Sequence, residues 1–317
     1  MTDATSLDTA PVSRRREIWD QFKTHKGALI GAYVFGFIVL GVFLGPFLWT
    51  ADPQEIPPVV EMIKQRDFRP IYTALWDSGA KTSWANPLGT DNLARDNLAR
   101  LMYGGRVSIA VGLTAMIFSI LLGALVGLLA GFFRRLDGVL MRTTDLFLAL
   151  PLLPLVIVAS VLFREKLSLT LGPEIGIFLL MVLLIGITSW MQTARIVRGD
   201  VLALKEREFV LAARSIGTKP RGLILQHILP NVFSPILVSA TLGIATAIIT
   251  ESALSFLGFG FPPDFPTWGK LLNDAVDRMT LYPERVIWPG MMISLTVLSV
   301  NYLGDGLRDA LDPRLRK

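Results

Sequence analysis

No cysteine occurs in the 317 residues, so the chain holds no disulfide, no thiolate metal site and no cysteine nucleophile. Histidine is almost as scarce: His25 and His227 stand far apart and cannot build a paired-imidazole metal centre. No GxxxxGK[ST] phosphate loop is present, so the chain does not bind and hydrolyse ATP through a P-loop, and HExxH and GxSxG are missing as well. An enzyme reading is left with no catalytic residue, no bound cofactor and no metal ligands. Charge is low too, at 18% of residues against 52% hydrophobic, with a mean hydropathy of +0.51. That balance is too apolar for an ordinary soluble protein, and lipid is the expected solvent.

Six apolar runs account for the hydropathy: 27–50, 107–133, 139–163, 175–194, 232–259 and 286–304. At roughly 20 residues per crossing each can span a bilayer, which predicts an all-α integral membrane protein with six transmembrane helices. The first run is too long for a secretory signal and reads as an uncleaved helix. Glycines recur within the runs, as at Gly112, Gly123, Gly127 and Gly131, where they permit helices to approach closely in lipid.

Lys and Arg total 31 against 26 for Asp and Glu, a net charge of +5, and the basic residues cluster between the apolar runs. Clusters at 14–16, 134–135, 195–221 and 308–317 fall on one side if the N-terminus is cytoplasmic, which predicts both termini inside. Arg95, Arg100 and Arg106 run against that pattern, at the end of a long loop.

Two polar segments separate the runs. The first, 51–105, is rich in Pro, Trp and Asp and is expected to face outside as a small cap or an amphipathic surface element. Its tandem DNLAR (91–100) defines nothing by itself, since a five-residue period drifts around a helix. The second, 195–231, places Phe209, Ala212, Ala213 and Ile216 at i, i+3, i+4 and i+7, giving a short helix with one small apolar face. Gly217 is placed to end that helix, Pro220 to begin another and Pro230 to close it.

Acids inside apolar runs are few. Asp145 lies near Arg142 and reads as half of an interfacial ion pair or as a functional acid. Glu251 is deeper, in ITESALSF, and is expected to line a path, to bond helices, or to be a satisfied structural acid. Thr246, Thr250 and Ser255 share its segment and suit a helix beside a polar path, although hydroxyls bonded to their own backbone give the same composition.

The stretch LAARSIGTKPRGLILQHILP (211–230) resembles the EAA loop of binding-protein-dependent ABC importer permeases. Ala212, Ala213, Gly217, Leu229 and Pro230 match that motif in register, while Leu211 stands where the family has glutamate and His227 where it has isoleucine. NPLGTDNLARDNLARLMYGGRVSI (86–109) is similar to a segment of dipeptide, oligopeptide and nickel permeases of the DppC/OppC type, with Ala94 in place of a glycine. SFLGFGFPPDFPTWGKLL (255–272) and GDGLRDALDPRL (304–315) are similar to the same group.

The resemblance implies a type I ABC importer permease fold in the bacterial cytoplasmic (inner) membrane, and a function in importing di- or oligopeptides or a related small solute by alternating access. Its implied partners are a second homologous permease forming a heterodimer, two ABC ATPase subunits that hold ATP-Mg, and an extracytoplasmic substrate-binding protein, with no nucleic acid. The helix at about 206–216 then becomes the element that couples to an ATPase subunit. Glu208, Phe209, Leu211, Ala212, Ala213, Arg214, Ile216, Gly217, Pro220, Leu229 and Pro230 form the coupling segment, and Thr246, Thr250, Glu251 and Ser255 are candidates for the path.

The expected organisation is a cytoplasmic tail (1–27), a first helix (28–50), an outer loop (51–105), a five-helix core (106–305) with the coupling loop at 195–231, and a cytoplasmic tail (306–317). Two other readings compete: a proton-coupled secondary transporter using Glu251, and a membrane enzyme or assembly factor whose loop is only a docking surface.

Overall fold

The computed structural model of the chain describes residues 14–262 and 264–311. The outer parts of both expected tails, 1–13 and 312–317, lie outside the described residues, and with them the end of the 308–317 basic cluster. Among the described residues the architecture is helical, and only isolated β-bridges occur.

A short helix α1 (Arg14–Thr24) leads into α2 (Lys26–Leu48), whose first turn is capped by His25 Nδ1 accepting the Ala28 amide at 3.0 Å. Near the other end, Pro46 has no N–H to offer the carbonyl of Val42. Arg106 supplies the missing donor from the neighbouring helix: its Nε bonds Val42 O at 2.6 Å and its Nη2 bonds Phe43 O at 2.7 Å. The arginine is therefore committed to backbone carbonyls, which accounts for one of the three that run against the charge pattern.

The other two are committed to the segment between α2 and the next long helix. This segment contains α3 (Val59–Gln65) and a 3-10 turn at Ile71–Leu75. Asp91 accepts Arg95 Nε at 2.7 Å and Arg100 Nη1 at 2.6 Å, and Arg100 Nη2 reaches Asp274 at 3.2 Å. The two DNLAR copies do different work. Asp91 holds a turn by accepting the amides of Leu93 and Arg95, whereas Asp96 caps the helix that follows by accepting the Ala99 amide and Trp49 Nε1. Burial pushes the Asp96 carboxyl above its ordinary range against the pull of those bonds.

Ala94 sits in the first copy at φ +61°, in the left-handed region that a Cβ resists. Ala94→Gly is expected to stabilise the protein by about 0.5–1 kcal/mol, the relief of Cβ strain less the entropy a glycine loses. A thermal melt of the purified variant checks this; an unchanged or lowered midpoint would show the turn to be unstrained.

The long helices follow: α4 (Asn97–Phe132), α5 (Arg134–Ala149), α6 (Leu152–Leu171), α7 (Pro173–Leu204), α8 (Glu208–Ser215), α9 (Pro220–Gly222), a π-turn (Leu223–Ile228), α10 (Leu229–Phe256), α11 (Trp268–Val276) and α12 (Glu284–Leu311). Among the described residues five helical rods are long and apolar enough to cross a membrane: α2, α4, α7, the continuous rod Pro220–Phe256 and α12. The run 139–163, expected as one membrane-spanning helix, is built from α5 and α6 meeting at 86°; counted as one crossing, this bent pair makes six. Pro151 breaks it by holding Leu150 extended at φ −76°, ψ 136°.

Helix α4 is the central post and packs along α7. Gly123, Gly127 and Gly131 make that contact possible. A Cβ at the first two would stand 2.6 Å from the carbonyls of Trp190 and Ala194, and at the third 2.7 Å from Val201 Cβ. Gly112 lies as closely on Ile248 of α10. Helix α12 packs between α2 and α10 and extends to Leu311, so the start of the expected 306–317 tail is helical.

Candidate functional site

A cavity of about 950 Å³ lies between α7, α10 and the α5–α6 bend, with Met116 and Thr250 as well as Asp200 and Arg308 in its lining. It stands at the top of the roughly 300–1,000 Å³ range of small-molecule sites. Along α7 its wall is Thr188, Ser189, Gln192, Thr193 and Asp200, a polar stripe at near-helical spacing inside an apolar run. Facing it on α10 are Asn231, Ser234, Ser239, Thr246 and Thr250.

The four path candidates divide into two pairs. Thr246 and Thr250 line the cavity, with their hydroxyls bonded back to the carbonyls of Leu242 and Thr246 at 3.2 and 2.9 Å. Glu251 and Ser255 lie on the opposite side of α10, fully or almost fully buried, and do not border the cavity. Ser255 Oγ donates to Glu251 Oε1 at 2.7 Å, and the hydroxyls of Ser252, Ser108 and Thr267 also lie against the carboxyl group. Trp268, fully buried at the start of α11, ties into the same knot through its amide on Ser108 Oγ and its indole N–H on Leu101 O. Glu251 therefore joins α10 to α4 and α11.

Asp145 forms an ion pair, but with Arg195 of α7 at 2.5 Å and not with Arg142. Beside it Arg198 makes a two-pronged contact with Asp137 on α5, at 2.5 and 2.7 Å. These two pairs hold the lower half of the bent crossing against α7.

The loop after α7 folds as α8, a turn and the rod that becomes α10. Helix α8 starts at Glu208, later than the expected 206, and ends at Ser215; Gly217 follows at φ +86°, a conformation that favours glycine. Pro220 opens α9, but Pro230 closes nothing. The π-turn shifts the ladder so that the Leu229 amide bonds Ile224 O, five residues back, and Pro230 falls where the first turn of α10 needs no N–H.

The apolar face expected on α8 is split. Val210 and Ala213 turn inward onto Leu223 and Phe132 of the chain itself, while Phe209, Leu211, Ala212 and Ile216 are exposed. Ile216 is 85% exposed, an unusual position for a large aliphatic side chain in a segment away from the apolar runs. Glu208 and Arg214 are exposed on the same short helix, and Leu229 packs with the group around Val197, Val201 and Ile228.

Residues 110–317 match the family described as the binding-protein-dependent transport system inner membrane component. The chain belongs to that permease family. Residues 13–66 match a second description, the N-terminal TM domain of oligopeptide transport permease C. The permease is 35% identical to the oligopeptide transport system permease protein OppC of Bacillus subtilis, over 99% of this chain and 94% of that one. It is 37% identical to the di/tripeptide transport system permease protein DppC of Pseudomonas aeruginosa, over 100% and 98%. Among solved structures, an inward-facing conformation of the MetNI methionine ABC transporter superposes with a TM-score of 0.53 at 17% identity, covering 67% of this chain and 97% of that one, which shows a shared fold. The permease is thus a multi-pass inner-membrane transport component of type I importer fold, and a transport subunit in place of an enzyme.

Gln192, Thr193, Asp200, Asn231 and Arg308 stand outside the candidates of the sequence, which are the acids Asp145 and Glu251 and the hydroxyls of the fifth run. The α7 stripe carries a signal for three of them: within an apolar helix Thr188 and Gln192, and Ser189 and Thr193, stand four apart, with Asp200 eight residues beyond Gln192.

Proposed function

We propose that the permease is one half of the membrane path of an ATP-driven peptide importer. The cavity is its inward-open vestibule and α8 is its contact with an ATPase subunit. The observation that carries this reading is the join between the two: the Gly217 turn feeds α8 directly into the single rod Pro220–Phe256, whose α10 portion forms one wall of the cavity. A displacement of α8 by a closing ATPase pair is thereby delivered to the cavity wall, and the two permeases rock between inward-open and outward-open states. ATP-Mg sits in the partner subunits, a second related permease completes the path, and an external binding protein delivers substrate by favouring the outward-open state. Relatives named for dipeptide and oligopeptide transport support peptides as the cargo. Both termini face the cytoplasm, an orientation supported by the basic residues of 195–221 beside α8.

Uptake into cells or vesicles is expected to stop on ATP depletion and to persist when an uncoupler collapses the proton gradient; the reverse pattern would establish secondary transport instead. In the same cells, single cysteines at Lys81 and Lys219 of this cysteine-free chain report orientation. Only the cysteine at 81 is expected to react with an impermeant thiol reagent, and reaction at 219 alone would invert the topology.

A further inference from the structure

Two charged side chains line the cavity, and they have opposite signs: Asp200 near the end of α7 and Arg308 near the end of α12. Their neighbours are spoken for. Arg195 and Arg198 of α7 are paired with Asp145 and Asp137, and Asp309 of α12 lies 3.8 Å from His25. Asp200 and Arg308 make no ion pair or side-chain hydrogen bond among the described residues. Asp200 is half-buried, so its carboxylate has surrendered part of its water without gaining a partner in exchange.

The rest of the lining is neutral and carries hydrogen-bonding groups, among them the Gln192 and Asn231 amides and the Ser234 hydroxyl. Amides and hydroxyls offer both donors and acceptors, which match peptide N–H and C=O groups without selecting among side chains. A ligand that satisfies both charged groups must carry an ammonium and a carboxylate. Arg308 suits the carboxylate because a guanidinium presents parallel N–H donors to two oxygens. A ligand carrying only one charge gains at one end and leaves the other side chain unpaired.

We propose that the cavity binds zwitterionic peptides by their termini, Asp200 receiving the ammonium and Arg308 the carboxylate. Selection at the inner vestibule then falls on free peptide ends and ignores sequence. The proposal rests on reading the cavity as the translocation path, and its test is built to separate the two.

The assembled complex is prepared with the single substitution Ser239→Cys in this chain, at a cavity-lining position outside the proposed contacts. The rate of thiol alkylation, read as the mass of this chain alone, is measured with dialanine, N-acetyl-dialanine and dialanine amide at equal concentration. Free dialanine is expected to slow labelling, and the two capped forms to need about tenfold or higher concentration for the same protection, the loss of one charge-assisted contact. Asp200→Asn is expected to erase the distinction between free and acetylated peptide, and Arg308→Gln that between free and amidated peptide. Equal protection by free and capped forms would overturn terminal recognition and leave the path assignment standing. Absence of protection by any of the three would overturn both.

Discussion

Ala212→Trp is expected to cut substrate-stimulated ATP hydrolysis by the complex about fivefold or more, while the permease itself melts as before. Ala212 is exposed on α8, so a large side chain there meets nothing within its own chain. Against a docked ATPase subunit it overpacks the contact, at a cost of about 1–3 kcal/mol, which is roughly 5- to 150-fold in affinity. Ala213→Trp is the informative partner variant. Its site is packed on Val210, Leu223 and Phe132, so the same bulk forces apart the permease's own helices and lowers the melting temperature. Measuring ATPase retention, stimulated hydrolysis and thermal stability on both variants separates the two faces. Normal retention and hydrolysis in Ala212→Trp would remove α8 from the coupling interface.

Glu251→Leu is the second change with a large expected effect, a loss of assembled permease. Leucine fits the space but leaves the hydroxyls of Ser255, Ser108 and Thr267 buried without their shared acceptor. Each stranded group costs about 1–3 kcal/mol. Glu251→Gln keeps one oxygen for Ser255 and adds N–H donors for the other hydroxyls, so uptake and yield are expected close to those of the parent protein. A proton relay predicts the opposite: the amide would abolish transport in a fully folded complex. Uptake assays and detergent melts on the two variants decide between knot and relay.

The sequence exposed the parts of this structure whose physics is local. Apolar runs long enough to span stand out in any window, and Gly217 and Pro220 mark the ends of α8 and the start of the rod because their backbones permit few alternatives. Where non-local contacts decide, the reading failed. The stretch 146–159 is apolar throughout on both sides of Pro151, so hydropathy passes over an 86° bend that the chain makes there. Pro230 signals a helix end in isolation, but a π-turn upstream absorbs the missing donor. Ala212 and Ala213 are neighbours of identical size, and only the position of Phe132 and Leu223 determines which of them turns inward. Two hydroxyl partners of Glu251, Ser252 and Ser255, lie on its own helix, but Ser108 of α4 and Thr267 at the start of α11 come from elements that no spacing on that helix announces.

The contacts that hold the 51–96 segment also set the order in which the protein can be completed during synthesis. Arg69 grips Glu284 through Nε at 2.9 Å and Nη2 at 3.3 Å, Tyr282 donates to Asp67, Trp288 to Tyr72, and Arg285 to Asn92 and the carbonyl of Arg66. Every one of these bonds joins the segment to residues 282–288, about two hundred positions later in the chain, and Arg100 waits similarly for Asp274. While the ribosome is still adding α7 and α10, the segment has no surface to close upon. Emergence of the last helix supplies it, so a nascent chain stalled before residue 282 should present this segment to added protease and a finished one should shield it. Closure of the 51–96 segment thus waits for the final helix.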